Sequence, residues 1–390
     1  MGNRYQRVGR AAGAAALAVA VLASNTLAAG PTVPTGDAGT ISGIGATFPA
    51  PIYNEWFPEF MADNPSAKVA FTYAANGSGA GVNAVKNGTA DYGASDVPLS
   101  DADMAATANT NGGVMNLPVT LGGVVVGYNL AGVKTTTGRA TTLKLTNTLV
   151  ALIYAGKITY WDNASIKSVN TGVVIPHTRI TPVRRSDSSG TTFVFQSYLN
   201  TQTIWKCILG SAGPQKLFPT GAQSCLSGGS IPGVGVARNS GVAAKVAATN
   251  GAVGYMELAY ATNANLQMAR LKNAAGVYLS PSTYGFSAAA AATVSSLPSD
   301  LRGKPIINAP GATSWPIASY SYMLVYTKAD GMQSSSLAKA QMFVSYLYWA
   351  LTAGQQFARP MGYAPLPSAV ATMVIAKLHL ITFGGSAVWP

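Results

Sequence analysis

The chain is short of charge, acid, cysteine and histidine. Only 10% of its 390 residues are charged, and 25 Lys and Arg outnumber 13 Asp and Glu. With 48% hydrophobic residues, such a chain buries large cores, which excludes general disorder. Two cysteines, Cys207 and Cys225, and two distant histidines, His177 and His379, argue against a zinc site, and no metal or cofactor is expected. There is no G-x-x-x-x-G-K-[ST] phosphate loop and no G-x-S-x-G elbow, and "GIGATF" is not a full G-x-G-x-x-G. His177, in "IPHTR", has no evident triad partners, so no catalytic residue is assigned. Beyond residue 28 no apolar run is long enough to span a membrane.

What is present begins with a targeting signal. Arg4, Arg7 and Arg10 precede the apolar run Ala11–Ala23, and Thr26 and Ala28 are the small residues of a cleavage site. Residues 1–28 therefore read as a secretory signal peptide, and the mature product as soluble. No cysteine adjoins the cleavage site, which argues against a lipid anchor. Removing three arginines and no acid leaves the product basic. That charge either steers anions inward or serves solubility and weak adhesion to anionic surfaces. In an exported protein Cys207 and Cys225 are expected to form one disulfide; the alternative is two buried thiols.

Strand-like and helix-like stretches alternate after a flexible leader at 29–39. "TISGIGATF", "AKVAFTYAA", "GGVVVGYNL", "RITPVRR", "GAVGYMELAYA" and "SYSYMLVYTK" read as strands. "PAPIYNEWFPEFMADN" has helical spacing, with prolines in its first turn and Pro58 inside, where it kinks or weakens the helix. "GAGVNAVKNG" reads as a helix ended by Gly88, and "LAKAQMFVSYLYWAL" and "SAVATMVIAKLHLI" as C-terminal helices. The aromatics of "YLYWAL" are expected in the core rather than on a nucleic-acid platform. The alternation predicts an α/β fold.

Three loops share one chemical plan: "GATFPAP", "NGSGAG" and "SDSSGTT" each place Ser or Thr with Gly before a helix. A helix start offers free N–H groups and the positive end of the dipole, so such a hydroxyl either caps the helix or meets an anion. The third loop is more specific, because Arg185 stands beside it as a permanent, planar donor. Asp187 either orients that guanidinium or caps the helix. Asp96, in "YGASDVPLS", reads first as a turn or N-cap aspartate. Beside an anion pocket it has a second meaning: it accepts the O–H of a protonated ligand and repels a fully ionised one.

Taken together, "GIGATFPAPIYNEW", "NGSGAGVNAVKNGTADYGASDVPL", "RRSDSSGTTFVFQSYL", "RNSGVAAKVAATNGAVGYMELAYA" and "ALTAGQQFARPMGYAPLP" resemble, in order, the PstS family of phosphate-binding proteins of bacterial ABC transporters. The resemblance implies a two-lobed, type II periplasmic substrate-binding fold with a hinge. The first lobe would comprise residues 40–120 and 263–381, the second 121–262, with a tail at 382–390 and a poorly matched stretch within 263–315. It also implies that inorganic phosphate is held by Thr47, the N–H of Phe48, Ser78, Asp96, Arg185, Ser189 and the N–H groups of Gly190 and Thr191. Asp187 would hold the arginine. A monomer in the periplasm, without nucleic acid, would deliver phosphate to a membrane permease. A secreted phosphatase-like relative and a surface adhesin are the alternatives. Family members commonly have Gly where Ser188 stands, so strain is expected there if the position needs a positive φ.

Overall fold

The computed structural model describes residues 30–108, 112–221, 224–226 and 229–389, so the expected signal peptide lies outside the described residues. Eight strands carry the architecture: β1 (Asp37–Gly45), β2 (Lys68–Ala74), β3 (Tyr92–Ser95), β4 (Val114–Tyr128), β5 (Thr181–Arg185), β6 (Val234–Val236), β7 (Ala252–Glu257) and β8 (Ile317–Tyr326). Their order in the sheet is β2-β1-β3-β8-β4-β7-β5-β6. The principal helices are α1 (Ala50–Asp63), α2 (Ser78–Asn87), α3 (Gly190–Leu199), α4 (Arg238–Ala247), α5 (Leu258–Asn263), α6 (Leu337–Leu351) and α7 (Ser368–Leu378). The α/β expectation holds, and each strand named from the sequence is present. β4 starts eight residues before "GGVVV", because the run "VMNLPVT" is equally buried and pairs with β8.

β4 joins two sheet halves. From Val114 to Gly123 it pairs antiparallel with β8, and from Val124 to Tyr128 it pairs antiparallel with β7. The change of partner falls beside Gly122 and Gly123. A side chain at either would collide with a ring: a Cβ on Gly122 would lie 2.7 Å from Phe48, and one on Gly123 2.1 Å from Phe286. Close ring packing over the strand therefore requires glycine at both positions.

Gln267–Met268 pairs with the far half of β4, and Arg270–Lys272 pairs with Lys144–Leu145. Ile306–Ile307 then joins the edge of β8.

The helices form where the sequence places them. Pro51 stands in the first turn of α1, where a missing N–H costs nothing, and Pro58 is accommodated within the helix. Gly88 closes α2 in the left-handed conformation, at φ 62°. Four tryptophans are fully buried, and each indole N–H finds a carbonyl: Trp56 on Gly354, Trp161 on Gly251, Trp205 on Ala151 and Trp315 on Val124. Tyr346 and Trp349 pack in the core against Phe71 and Phe60, as their apolar context predicts.

One buried ion pair ties α6 to the first half. Lys339 Nζ lies 2.8 Å from Asp91 Oδ1, and Asp91 also accepts from Ser42 and from the N–H of Gln333. Removing one partner of such a pair strands a buried charge. Lys339→Met is expected to lower the unfolding free energy by about 3 kcal/mol, read by urea denaturation at neutral pH; an unchanged midpoint would show that Ser42 and Gln333 alone satisfy Asp91.

Candidate functional site

Arg185, the last residue of β5, is 1% exposed. An interior guanidinium needs an acceptor for each face of its fork. Asp187 supplies both carboxylate oxygens, one to Nε at 2.6 Å and the other to Nη2. Nη1 donates to Thr47 Oγ1 at 3.2 Å and to Asn239 Oδ1 at 3.0 Å. Asp187 thus orients the guanidinium, and the cap of α3 is Ser189, whose Oγ accepts from Thr192 N. Burial works against the charge on Asp187, but Arg185 and the N–H of Arg238 outweigh it and hold its carboxyl below the usual carboxylate range.

The other two loops converge on this arginine. Thr47 follows β1, where the N–H of Ala46 is bound to Ala94 and Tyr260 Oη donates to the Thr47 carbonyl at 2.6 Å. Its Oγ1 accepts from Arg185 and, at 3.3 Å, from the N–H of Asn239. Phe48 is buried, and its carbonyl accepts from Tyr363 Oη at 2.5 Å. Ser78 opens α2 without capping it: Gly77 is the cap residue. Instead Ser78 Oγ accepts from Gly190 N at 3.0 Å and from Asp96 N at 3.3 Å. Among Thr47, Ser78 and Ser189, only Ser189 is an ordinary cap.

This pattern decides what the hydroxyls can offer. Thr47, Ser78 and Ser189 each accept from N–H donors, which leaves each hydroxyl proton to donate elsewhere. Thr191 differs, because its Oγ1 donates to Asp96 Oδ2 at 3.3 Å and accepts from Asn239 Nδ2 at 3.4 Å. The set is a cluster of donors at the start of α3, with one permanent cation, its partner Asp187 and a second acid.

Asp96 is that second acid. It is no exposed turn residue: it is 2% exposed and accepts from Ser321 Oγ at 2.8 Å as well as from Thr191. Burial pushes its carboxyl up to about 7, against the opposing pull of Ser321, Arg185 and Thr191. Ser321 sits at a bulge: it pairs with Thr120 while Tyr322 pairs with Pro118, so the β8–β4 register shifts between Ser321 and Tyr322.

The loops meet so closely that side chains are excluded between them. A Cβ on Gly190 would lie 2.6 Å from both Asp96 Cβ and Ser78 Oγ. Gly77 has φ 100°, and a Cβ there would lie 2.7 Å from the carbonyl oxygen of Ser188. Ser188 itself is not among the non-glycine residues with positive φ, so the strain expected there does not arise. The need for glycine lies across the contact. Gly79 N donates to the Ser188 carbonyl at 3.1 Å, and a Cβ on Gly79 would lie 2.4 Å from Ser188 Oγ. A non-glycine residue beside the cluster that does take a positive φ is Arg238, at 67°; its N–H reaches Asp187 and its guanidinium reaches Asn76 Oδ1 at 2.7 Å.

Cys207 is exposed and Cys225 half-buried, and both stand as free thiols in the structure. His177 stacks on Tyr160 and meets Asp162 at 3.0 Å on the surface. Among the described residues no group of three or more His, Cys, Asp or Glu could hold a metal.

A profile described as a PBP superfamily domain matches residues 30–352. The phosphate-binding protein PstS of Xylella fastidiosa is 35% identical over 84% of this chain and 81% of its own. PstS of Methanocaldococcus jannaschii is 33% identical over 86% and 85%. Two solved structures share the fold: a high affinity periplasmic phosphate-binding protein bound with phosphate, with a TM-score of 0.63 and 21% identity over 86% of this chain and 93% of that one, and a DING protein, with a TM-score of 0.67 and 20% identity over 89% and 96%.

The carboxyl of Asp96 titrates far above its unfolded value of about 3.9, so the folded chain holds this proton more tightly than the unfolded one. Its contribution to stability is full below about pH 4 and is lost as the pH rises through about 7. Asp96→Asn is therefore expected to lack that part of the decline when ligand-free protein is unfolded in urea at a series of pH values. The buried Glu257 is also raised well above its usual range, chiefly by burial; only the smaller part of that rise that comes from Asp96 enters the difference.

Proposed function

The chain belongs to the PstS family of phosphate-binding proteins, and from that premise we propose that it binds inorganic phosphate at the cluster around Arg185 and delivers it to an ABC importer. The observation that carries this reading is the meeting of Arg185, Thr47, Ser78, Asp96 and the start of α3, drawn from loops far apart in sequence. Thr47, Ser78 and Ser189 donate their hydroxyl protons, and Phe48 and Thr191 their N–H groups, joined by Gly190, whose N–H turns from Ser78 Oγ to the anion. Arg185 supplies the one fixed positive charge. Neutral donors and helix-start dipoles spread the rest of the anion's charge, so no metal is required.

Asp96 sets the choice of anion. Phosphate carries a proton near neutral pH and can donate it to the carboxylate. Sulfate carries none and would face an unpaired, repelling acceptor. The two sheet halves act as lobes that close by rotation about β4 and the segment after β7, as is usual for binding proteins of this architecture. The protein works as a monomer in the periplasm, which the secretory reading of residues 1–28 supports.

Binding without catalysis is supported by the surroundings of Ser189. Its Oγ contacts an N–H donor, Thr192, whereas a nucleophile needs a base. No phosphate release from a chromogenic ester is expected.

Titration calorimetry with phosphate and sulfate tests the site. Arg185→Gln is expected to weaken phosphate binding by on the order of 100-fold. Asp96→Asn is expected to weaken phosphate binding by roughly 10- to 100-fold while narrowing the gap between phosphate and sulfate. Equal affinities of the wild type for both anions, or no effect of either substitution, would refute the assignment.

A further inference from the structure

The two cysteines stand outside the anion cluster, yet they flank a segment fastened to it. Cys207 is exposed on the helix Thr203–Leu209. Cys225 lies on the short helix Ser224–Leu226, which packs against the first, and its thiol hydrogen-bonds that of Cys207. Between them, Gln215–Phe218 runs along α3. The N–H of Ser189 donates to the Lys216 carbonyl at 2.9 Å, and Gln196 Nε2 donates to the Leu217 carbonyl at 2.8 Å. Gln196 Oε1 accepts in turn from Gln215 N at 3.0 Å. The same segment lines a cleft of about 720 Å³ together with Ser188, which precedes Ser189, and Val97, which follows Asp96.

We propose that Cys207 and Cys225 are a disulfide site, oxidised by exchange with a small external disulfide, and that the bond braces Gln215–Phe218 against α3. The exposed Cys207 thiolate attacks one sulfur of a disulfide such as oxidised glutathione, giving a mixed disulfide and one glutathione thiol. Cys225 then attacks Cys207 Sγ, closes the protein disulfide and releases the second glutathione thiol. Two thiol protons and two electrons pass to the external disulfide, so the step balances. Cys207 donates its S–H to Cys225, which raises the Cys207 thiol above its ordinary range, so exchange runs faster at alkaline pH. Closing the loop shortens the list of open conformations available to the segment between the cysteines. Opening it would release the carbonyl that holds Ser189 N. The effect on anion release rests on the phosphate-binding reading; the bond and the brace do not.

The purified protein is equilibrated in oxidising and in reducing glutathione buffers, then alkylated under denaturing conditions and weighed. Oxidised protein is expected to take no alkyl group and so to weigh two alkyl groups less than the reduced, alkylated protein. Trypsin cleavage after Lys216 is expected to be on the order of tenfold slower in the oxidised form than in reduced protein or in Cys207→Ser/Cys225→Ser. Stopped-flow release of phosphate is expected to be slower in the oxidised form as well. Two alkylated thiols after equilibration in the oxidising buffer would overturn the bond. A bond that leaves the cleavage rate unchanged would overturn the brace. Failure of both forms to bind phosphate would sink the phosphate reading and leave the disulfide standing.

Discussion

A buried arginine without mobile partners is the constraint on which the site depends. Arg185 cannot discard its proton, so each part of its fork must be met inside the protein. Asp187 meets one side as a bidentate partner, and Thr47 and Asn239 meet the other. Those partners come from β1's loop, from β5's own loop and from the start of α4. To satisfy one side chain, the fold must therefore bring three distant stretches to a fixed geometry. The supports follow from it: Tyr255 accepts the N–H of Arg185, and Tyr260 pins the carbonyl of Thr47.

The same closeness explains the small residues around the site. Gly77, Gly79 and Gly190 stand where one loop's backbone lies against another's, and Gly45 and Gly81 press against the backbone of Ala94. Each would place a Cβ inside another atom's radius. The chain's 42 glycines are in this region a packing requirement between loops rather than a source of looseness.

Much of this was legible in the sequence. The alternating apolar runs placed the strands, and the loops "GATFPAP", "NGSGAG" and "SDSSGTT" marked where hydroxyls would gather. Arg185 and Asp187 were readable because a charge pair beside a helix start has few other uses. Asn239 and Ser321 were not singled out. Asn239 is a plain polar residue in a helical stretch, and only the fold brings it to Arg185. Ser321 occupies a strand whose neighbours are all buried, so a polar residue at that position in "SYSYM" was the available signal for Asp96's partner. The burial of Asp96 could not be read locally, because it depends on β8 and α3, which lie more than ninety residues further along the chain. At Ser188 the family pattern pointed to strain, but the residue takes an ordinary conformation and its glycine neighbours make the room.

β4 has one more consequence. Val114–Tyr128 passes from one sheet half to the other with no unpaired stretch between Gly123 and Val124. A joint made this way contains no slack: the two halves are geared to each other like ends of a torsion bar. In the closure proposed above, rotation of one half would be taken up as twist in a continuous strand, and the stiffness of that twist would set how cheaply the molecule opens.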